Sequence, residues 1–259
     1  MHKTSDLHGN TIGIVSGKGG VGKTTITANV GVSLVKDFNL NVIVVDANVL
    51  TSNLGIHLGF IREPVSLYDV LKNKLKVEQA TYVHSSGLSV IPSSLAINET
   101  IDCRRLKSII NSLSRVYDFV IVDSAPGLSR EALMVLEACD SFIVVTNPEL
   151  PSVTDCTKTI KVLEEKNKKV IGIVLNKVMG KRYELTKEHI ENLTEKHVIA
   201  EIPYDDHVPL SIANKEPVVI NSPNCSASIR LRQLAGYLCN KPFEVREDWW
   251  KRLVRFLFG

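Results

Sequence analysis

The chain has 259 residues, 44% of them apolar and 23% charged, a globular composition that excludes a disordered or fibrous chain. Its formal net charge of +3 is too small to argue for nucleic acid on its own. The five cysteines stand in no C-x-x-C spacing, which signals neither a zinc site nor a thiolate-held cluster and suits buried thiols in a reducing compartment.

Residues 1–10 are polar, so a flexible N-terminus without a signal-peptide core is expected there. No apolar run reaches the roughly 18 residues that bilayer spanning needs. A single domain is expected over residues 11–240. Its first apolar run, Thr11–Val15, leads into I-G-I-V-S-G-K-G-G-V-G-K-T-T at 12–25. Gly17 and Gly22 to Thr24 fit G-x-x-x-x-G-K-[ST], between a strand-like run and a helical stretch from Ala28 to Leu34. The loop comprises Gly17, Lys18, Gly19, Gly20, Val21, Gly22, Lys23, Thr24 and Thr25. Its glycines permit tight backbone that turns amides toward one point, and the next helix adds its positive N-terminus. Lys23 is expected to reach the β- and γ-phosphates and Thr24 to ligate magnesium, which makes ATP and Mg²⁺ the expected cofactors.

The later runs are Asn41–Val45, Leu88–Ile91, Asp118–Val122, Ser141–Val145, Val170–Leu175 and Val198–Ile202. They are rich in Val and Ile and nearly continuous, as strands buried on both faces are. Leu106, Ile109, Ile110 and Leu113 have helical spacing behind Asp102 as N-cap. Ser152 with Asp155 predicts a capping box before Ile160, Val162 and Leu163. The sum is an α/β P-loop nucleoside triphosphatase fold, a mostly parallel sheet of about seven or eight strands with helices on both faces.

Residues 241–247 read as a linker, and 248–259 as a separate amphipathic helix capped by Asp248. Trp249, Trp250, Leu253, Val254 and Leu257 fall on one side, widened by Phe256 and Phe258. Lys251, Arg252 and Arg255 fall largely on the other or at its edge. Indole rings and basic residues suit an anionic lipid surface. Packing on its own domain or in a protein groove are the alternatives.

The loop's second lysine, Lys18, gives the deviant form G-K-G-G-V-G-K-T-T, and on it the chain resembles the MinD/ParA family of deviant Walker A P-loop ATPases. The resemblance covers nearly the whole chain. It implies a homodimer in the ATP-bound state, with Lys18 crossing to the partner's nucleotide. F-V-I-V-D-S-A-P-G at 119–127 resembles the family's second acidic motif, which places Asp123 beside magnesium together with Thr24 and Asp46, and Pro126 and Gly127 by the γ-phosphate. T-N-P-E at 146–149 and Asp155 resemble the region that faces the dimer partner and regulators. V-L-N-K at 174–177 and I-P-Y-D-D at 202–206 resemble the segments that hold adenine, here Asn176, Pro203, Tyr204 and Asp205.

The family usually shows D-x-D after its second strand, where this chain has Asp46 and Asn48. An amide orients a water but cannot take its proton as a carboxylate can, so slow hydrolysis is expected, with a nearly inactive binding switch as the alternative. The C-terminal segment resembles the membrane-targeting helix that ends some family members. The implied whole is a cytoplasmic ATPase switch, peripheral on the inner face of the cell membrane, that positions division-site or other components. Its expected partners are a second copy, an anionic membrane and an unidentified activating or cargo protein; nucleic acid is the less favoured partner. A flagellar-number regulator and a DNA-partitioning ATPase share much of the pattern. An iron-sulfur carrier would need paired cysteines, which are absent.

Overall fold

Near-continuous Val/Ile runs can sit only where both faces of a sheet are covered, and that is where they lie in the computed structural model, which describes residues 10–48, 53–60, 63–72, 75–93 and 103–244. The elements in chain order are β1 (Asn10–Val15), α1 (Lys23–Lys36), β2 (Val42–Asp46), α2 (Leu54–His57), α3 (Leu67–Leu71), a 3₁₀ turn (Val77–Ala80), β3 (Tyr82–Val83), β4 (Ser89–Ile91), α4 (Cys103–Leu113), β5 (Phe119–Asp123), α5 (Arg130–Ala138), β6 (Ser141–Thr146), α6 (Leu150–Glu165), β7 (Lys169–Val178), α7 (Lys187–Thr194), β8 (Val198–Pro203), α8 (His207–Ala213), α9 (Val218–Asn221) and α10 (Ser226–Leu238). They form one eight-stranded sheet in the order β3-β4-β2-β5-β1-β6-β7-β8. All of its ladders are parallel except β3 against β4.

Alternate side chains of each strand enter opposite layers. Ile43, Val45, Val120 and Val122 join one core with α3 to α7, while Val42, Val44, Phe119 and Ile121 join the other with α1, α2, α9 and α10. The α/β class and the parallel sheet with two covered faces were both readable from the runs. The unread strand is β3, whose two residues are too few for a periodic signal.

Two glycines let helix and strands approach closely. A Cβ on Gly13 would sit 2.6 Å from Phe142, and one on Gly31 would sit 2.8 Å from Val44. The predicted capping box at Ser152 and Asp155 is not formed. Helix α6 starts earlier, with Glu149 as N-cap and Pro151 in its first turn, where the missing amide costs no hydrogen bond. Ser152 is buried inside that helix, and Asp155 pairs with Lys158 at 3.1 Å.

Helices α1 and α10 pack side by side. Asn29 of α1 accepts the Val219 amide of α9 at 3.1 Å, and Arg232 of α10 grips Asp37 at the end of α1, Nε to Oδ2 2.9 Å. The same guanidinium lies 4.4 Å from the Phe243 ring centroid, and the Lys241 amide bonds the Gly236 carbonyl at 2.9 Å. Residues 241–244 of the predicted linker are therefore packed against the domain. Residues 1–9, the Asp102 cap, linker residues 245–247 and the predicted helix 248–259 with its Trp249, Trp250, Lys251, Arg252, Leu253, Arg255, Phe256 and Leu257 lie outside the described residues.

Candidate nucleotide site

Strand β1 is central, between β5 and β6, and the chain leaves it toward β2 on one side and later returns on the other. In open α/β sheets the crevice at such a switch point is where ligands bind. The loop Ser16–Gly22 occupies it. Gly20 and Gly22 have φ of +77° and +101°, the left-handed region that L side chains avoid. Gly22 is also the N-cap of α1, and a Cβ there would collide with the Asn176 amide. A Cβ on Gly17 would collide with the backbone carbonyl of Asp155. Gly127, at φ +69°, donates its amide to the Ser16 carbonyl at 2.9 Å and so props the loop from the β5 side.

Lys23 is buried, and its Nζ donates to Ser16 Oγ at 2.9 Å. Burial lowers its pKa, against the raising effect of the Asp123 carboxyl. Thr24 donates its hydroxyl to Asp123 Oδ2 at 2.6 Å. Asp123 Oδ1 is buried with no hydrogen-bond partner among the described residues. Burial first, and then the Asp46 charge, push the Asp123 carboxyl up to about 7, against the Thr24 hydrogen bond and Lys23. An orphaned carboxylate oxygen next to a threonine hydroxyl is a pair of hard donors suited to a small dication.

Asp46 pairs in register with Asp123 across β2 and β5. Its oxygens accept the Asn48 amide at 3.0 Å and the Leu54 amide at 3.2 Å, so its carboxyl shapes the segment that carries Asn48 toward α2. Asn48 itself lines the cleft.

The cleft encloses about 470 Å³, within the range of small-ligand pockets. Of the sequence-predicted residues, Gly19, Gly20, Gly22, Lys23, Thr24, Thr25, Asn48, Asn176, Pro203, Tyr204 and Asp205 line it, with Pro126. Gly17, Val21, Asp46 and Asp123 stand behind that lining, and Lys18 is an exposed loop residue. Asn176 supports the loop, donating its amide to the Val21 carbonyl at 2.7 Å, while its own carbonyl accepts from Asn147 at 2.8 Å. Lys177 breaks the β7–β8 register at φ +60° and reaches the Gly20 carbonyl at 2.9 Å. Asp205 is fully engaged: Oδ1 accepts the His207 amide at 3.0 Å and ring Nδ1 at 2.7 Å, and Oδ2 accepts the Ser226 hydroxyl at 2.7 Å and the Ala227 amide at 3.2 Å. Burial would raise its carboxyl, yet these hydrogen bonds hold it well below the usual range.

Sequence reasoning missed Asn53, His57, Lys177, Val208, Pro209 and Ile212, which also line the cleft. Val208 and Ile212 stand four apart on one helix face, a readable signal, as do Asn53 and His57. Burial drops the His57 pKa to about 4, so the ring facing the cleft is a neutral imidazole.

Comparisons with known proteins identify the family and the fold. A model of the CobQ/CobB/MinD/ParA nucleotide binding domain matches residues 12–218. An uncharacterized ATP-binding protein of Methanocaldococcus jannaschii is 32% identical over 255 residues, 96% of each chain. The septum site-determining protein MinD of Pyrococcus horikoshii, solved in complex with Mg-ADP, superposes with a TM-score of 0.83 at 30% identity, over 88% of this chain and 95% of that one. The MinC:MinD cell division complex of Aquifex aeolicus gives a TM-score of 0.83 at 27% identity, over 92% and 98%.

Proposed function

The chain belongs to the CobQ/CobB/MinD/ParA family of nucleotide-binding domains, and from that premise we propose that it is a MinD-like ATPase switch, paired through bound ATP and attached reversibly to a membrane. The observation that carries the reading is the convergence of Lys23 and Thr24 in the lining of the cleft with Asp123 behind them, bonded to Thr24. These residues fit ATP with magnesium. Thr24 and Asp123 would hold the ion, whose charge neutralises phosphate oxygens, and Asp46 would act from behind through the segment it shapes.

The protein's own part is positioning. Lys23 is withheld from solvent by Ser16, so its charge is stored where phosphate oxygens would arrive. The Asn176 and Lys177 side chains engage the loop carbonyls of Val21 and Gly20, which would leave loop amides to meet phosphate oxygens. Asn48 can orient a water but cannot take its proton, which makes turnover slow. Lys18, an exposed loop residue, would reach a second copy's nucleotide in the ATP-bound pair.

One tail helix of about three turns binds lipid marginally. Two tails on one dimer raise avidity by roughly 10² or more. Pairing would thus convert a weak attachment into a firm one, and nucleotide loss would reverse it, which suits a protein that positions division-site or other components. Light scattering with ATP·Mg²⁺ and with ADP tests the pairing: a dimer with ATP only, lost in Lys18→Ala, is expected, and a monomer under both conditions overturns it. Vesicle sedimentation of the chain with and without residues 248–259 tests the attachment, and equal pelleting overturns that part. Asn48→Asp is expected to speed phosphate release, and no release from the unaltered protein would leave a binding switch only.

A further inference from the structure

The cysteine spacing gives no hint of a metal, yet the fold gathers three different donors at the rim of the cleft. We propose that Asp205, His207 and Cys225 form a binding site for a divalent transition metal of the zinc class. One donor atom of each lies within 4.8 Å of the others. They arrive from separate places: Asp205 just past β8, His207 at the start of α8, and Cys225 as the N-cap of α10. A carboxylate, an imidazole and a thiol together suit zinc and do not suit magnesium, which takes oxygen alone.

The hydrogen bonds already present say how an ion would enter. His207 Nδ1 shares its proton with Asp205 Oδ1 at 2.7 Å, with the ring half exposed and the carboxylate largely covered. The Cys225 sulfur accepts the Ser228 amide at 3.4 Å. Burial, opposed by that amide and assisted by the Asp205 charge, raises the thiol and keeps its proton in place without an ion. A dication replaces the protons held among these three groups. The thiol proton leaves to solvent and the sulfur–metal bond takes its place; the metal-bound imidazole gives up the proton on Nδ1, carries its one proton on Nε2, and turns the Nδ1 lone pair to the ion. The backbone amides of His207 and Ala227 and the Ser226 hydroxyl remain on Asp205 and fix its orientation, the supporting shell that a metal carboxylate needs. Water completes the tetrahedron. The bound ion would staple the start of α8 to the start of α10, beside the Pro203–Asp205 wall of the cleft.

This site stands independently of the ATP reading and is tested without nucleotide. The full chain is titrated with Co²⁺ and then with Zn²⁺. One equivalent of Co²⁺ with a thiolate-to-metal charge-transfer band, displaced by Zn²⁺, is expected. Cys225→Ser keeps an N-cap oxygen and should retain the fold by circular dichroism while losing the band. His207→Gln should weaken binding at least about tenfold. Zn²⁺ should raise the Tm of the unaltered protein and leave that of Cys225→Ser unchanged. Absence of the band, or a band that survives Cys225→Ser, overturns the proposal.

Discussion

Asp123 and Asp205 stand at corresponding places, one ending β5 behind the lining of the cleft and the other just past β8 in that lining, and they are opposites. Asp123 has one hydroxyl donor, an orphaned oxygen and a second carboxylate across the ladder. Asp205 has donors on both oxygens from two helix starts. A strand-terminal aspartate is thus not one kind of residue. The phosphate end of the cleft keeps a carboxyl undersupplied with protons from neighbours, ready for a hard cation. The far end uses its carboxylate to knit the wall together and surrounds it with softer donors.

The comparison can be broken most sharply at the phosphate end. Lys23→Ala should weaken ATP binding by about a hundredfold or more, because the lost charge-assisted contact is a desolvated one. Isothermal calorimetry measures it, and an affinity unchanged within a few-fold would break the comparison at its root. At the far end, Asp205→Ala should destabilise the fold by about 2 to 3 kcal/mol, since donors at the starts of α8 and α10 lose their acceptor. Urea unfolding checks that, and a cost near zero would show the knit to be incidental.

The pH dependences should have opposite signs. The fold raises the Asp123 carboxyl from 3.8 to about 7, so it favours the protonated form; that stabilisation is complete below 3.8 and is lost as pH rises through about 7. Asp123→Asn should therefore flatten the decline of Tm between pH 4 and pH 7 in metal-free protein. The fold lowers Asp205 from 3.8, so its contribution is present above that value and is lost as pH falls through the lower folded one. Asp205→Asn should flatten the acid limb instead, and equal slopes for the two variants would contradict the contrast. The smallest effect concerns the packing of α1 on β2. Gly31→Ala should cost about 1 to 3 kcal/mol by forcing α1 off Val44, read as a lower urea midpoint with an unchanged slope.

How much of this could be read in advance follows from range along the chain. The phosphate loop was legible because its glycines, lysine and threonine are consecutive and their roles depend on local backbone. The sheet was legible because burial on both faces writes itself as unbroken Val/Ile runs. The start of α6 is misread because Pro151 in the first turn outweighs the Ser–Asp spacing that begins at the next residue. Asn176 lines the cleft, and its use as a brace on the Val21 carbonyl depends on a partner 155 residues away. The meeting of Cys225 with Asp205 and His207 has the same character: nothing in either segment alone announces it.

Arg232, gripping Asp37 and lying over Phe243, ties α10 and residue 243 to the end of α1. Helix α1 starts at the glycine loop of the cleft and ends at that clamp, so cleft and clamp occupy opposite poles of a 14-residue rod, about 20 Å long at 1.5 Å per residue. A rod of that kind transmits a push poorly as a change of shape, because its core neighbours hold it on nearly every side. Under the proposed pairing, news of an occupied pole would reach the other by recruitment of a second copy rather than by deformation.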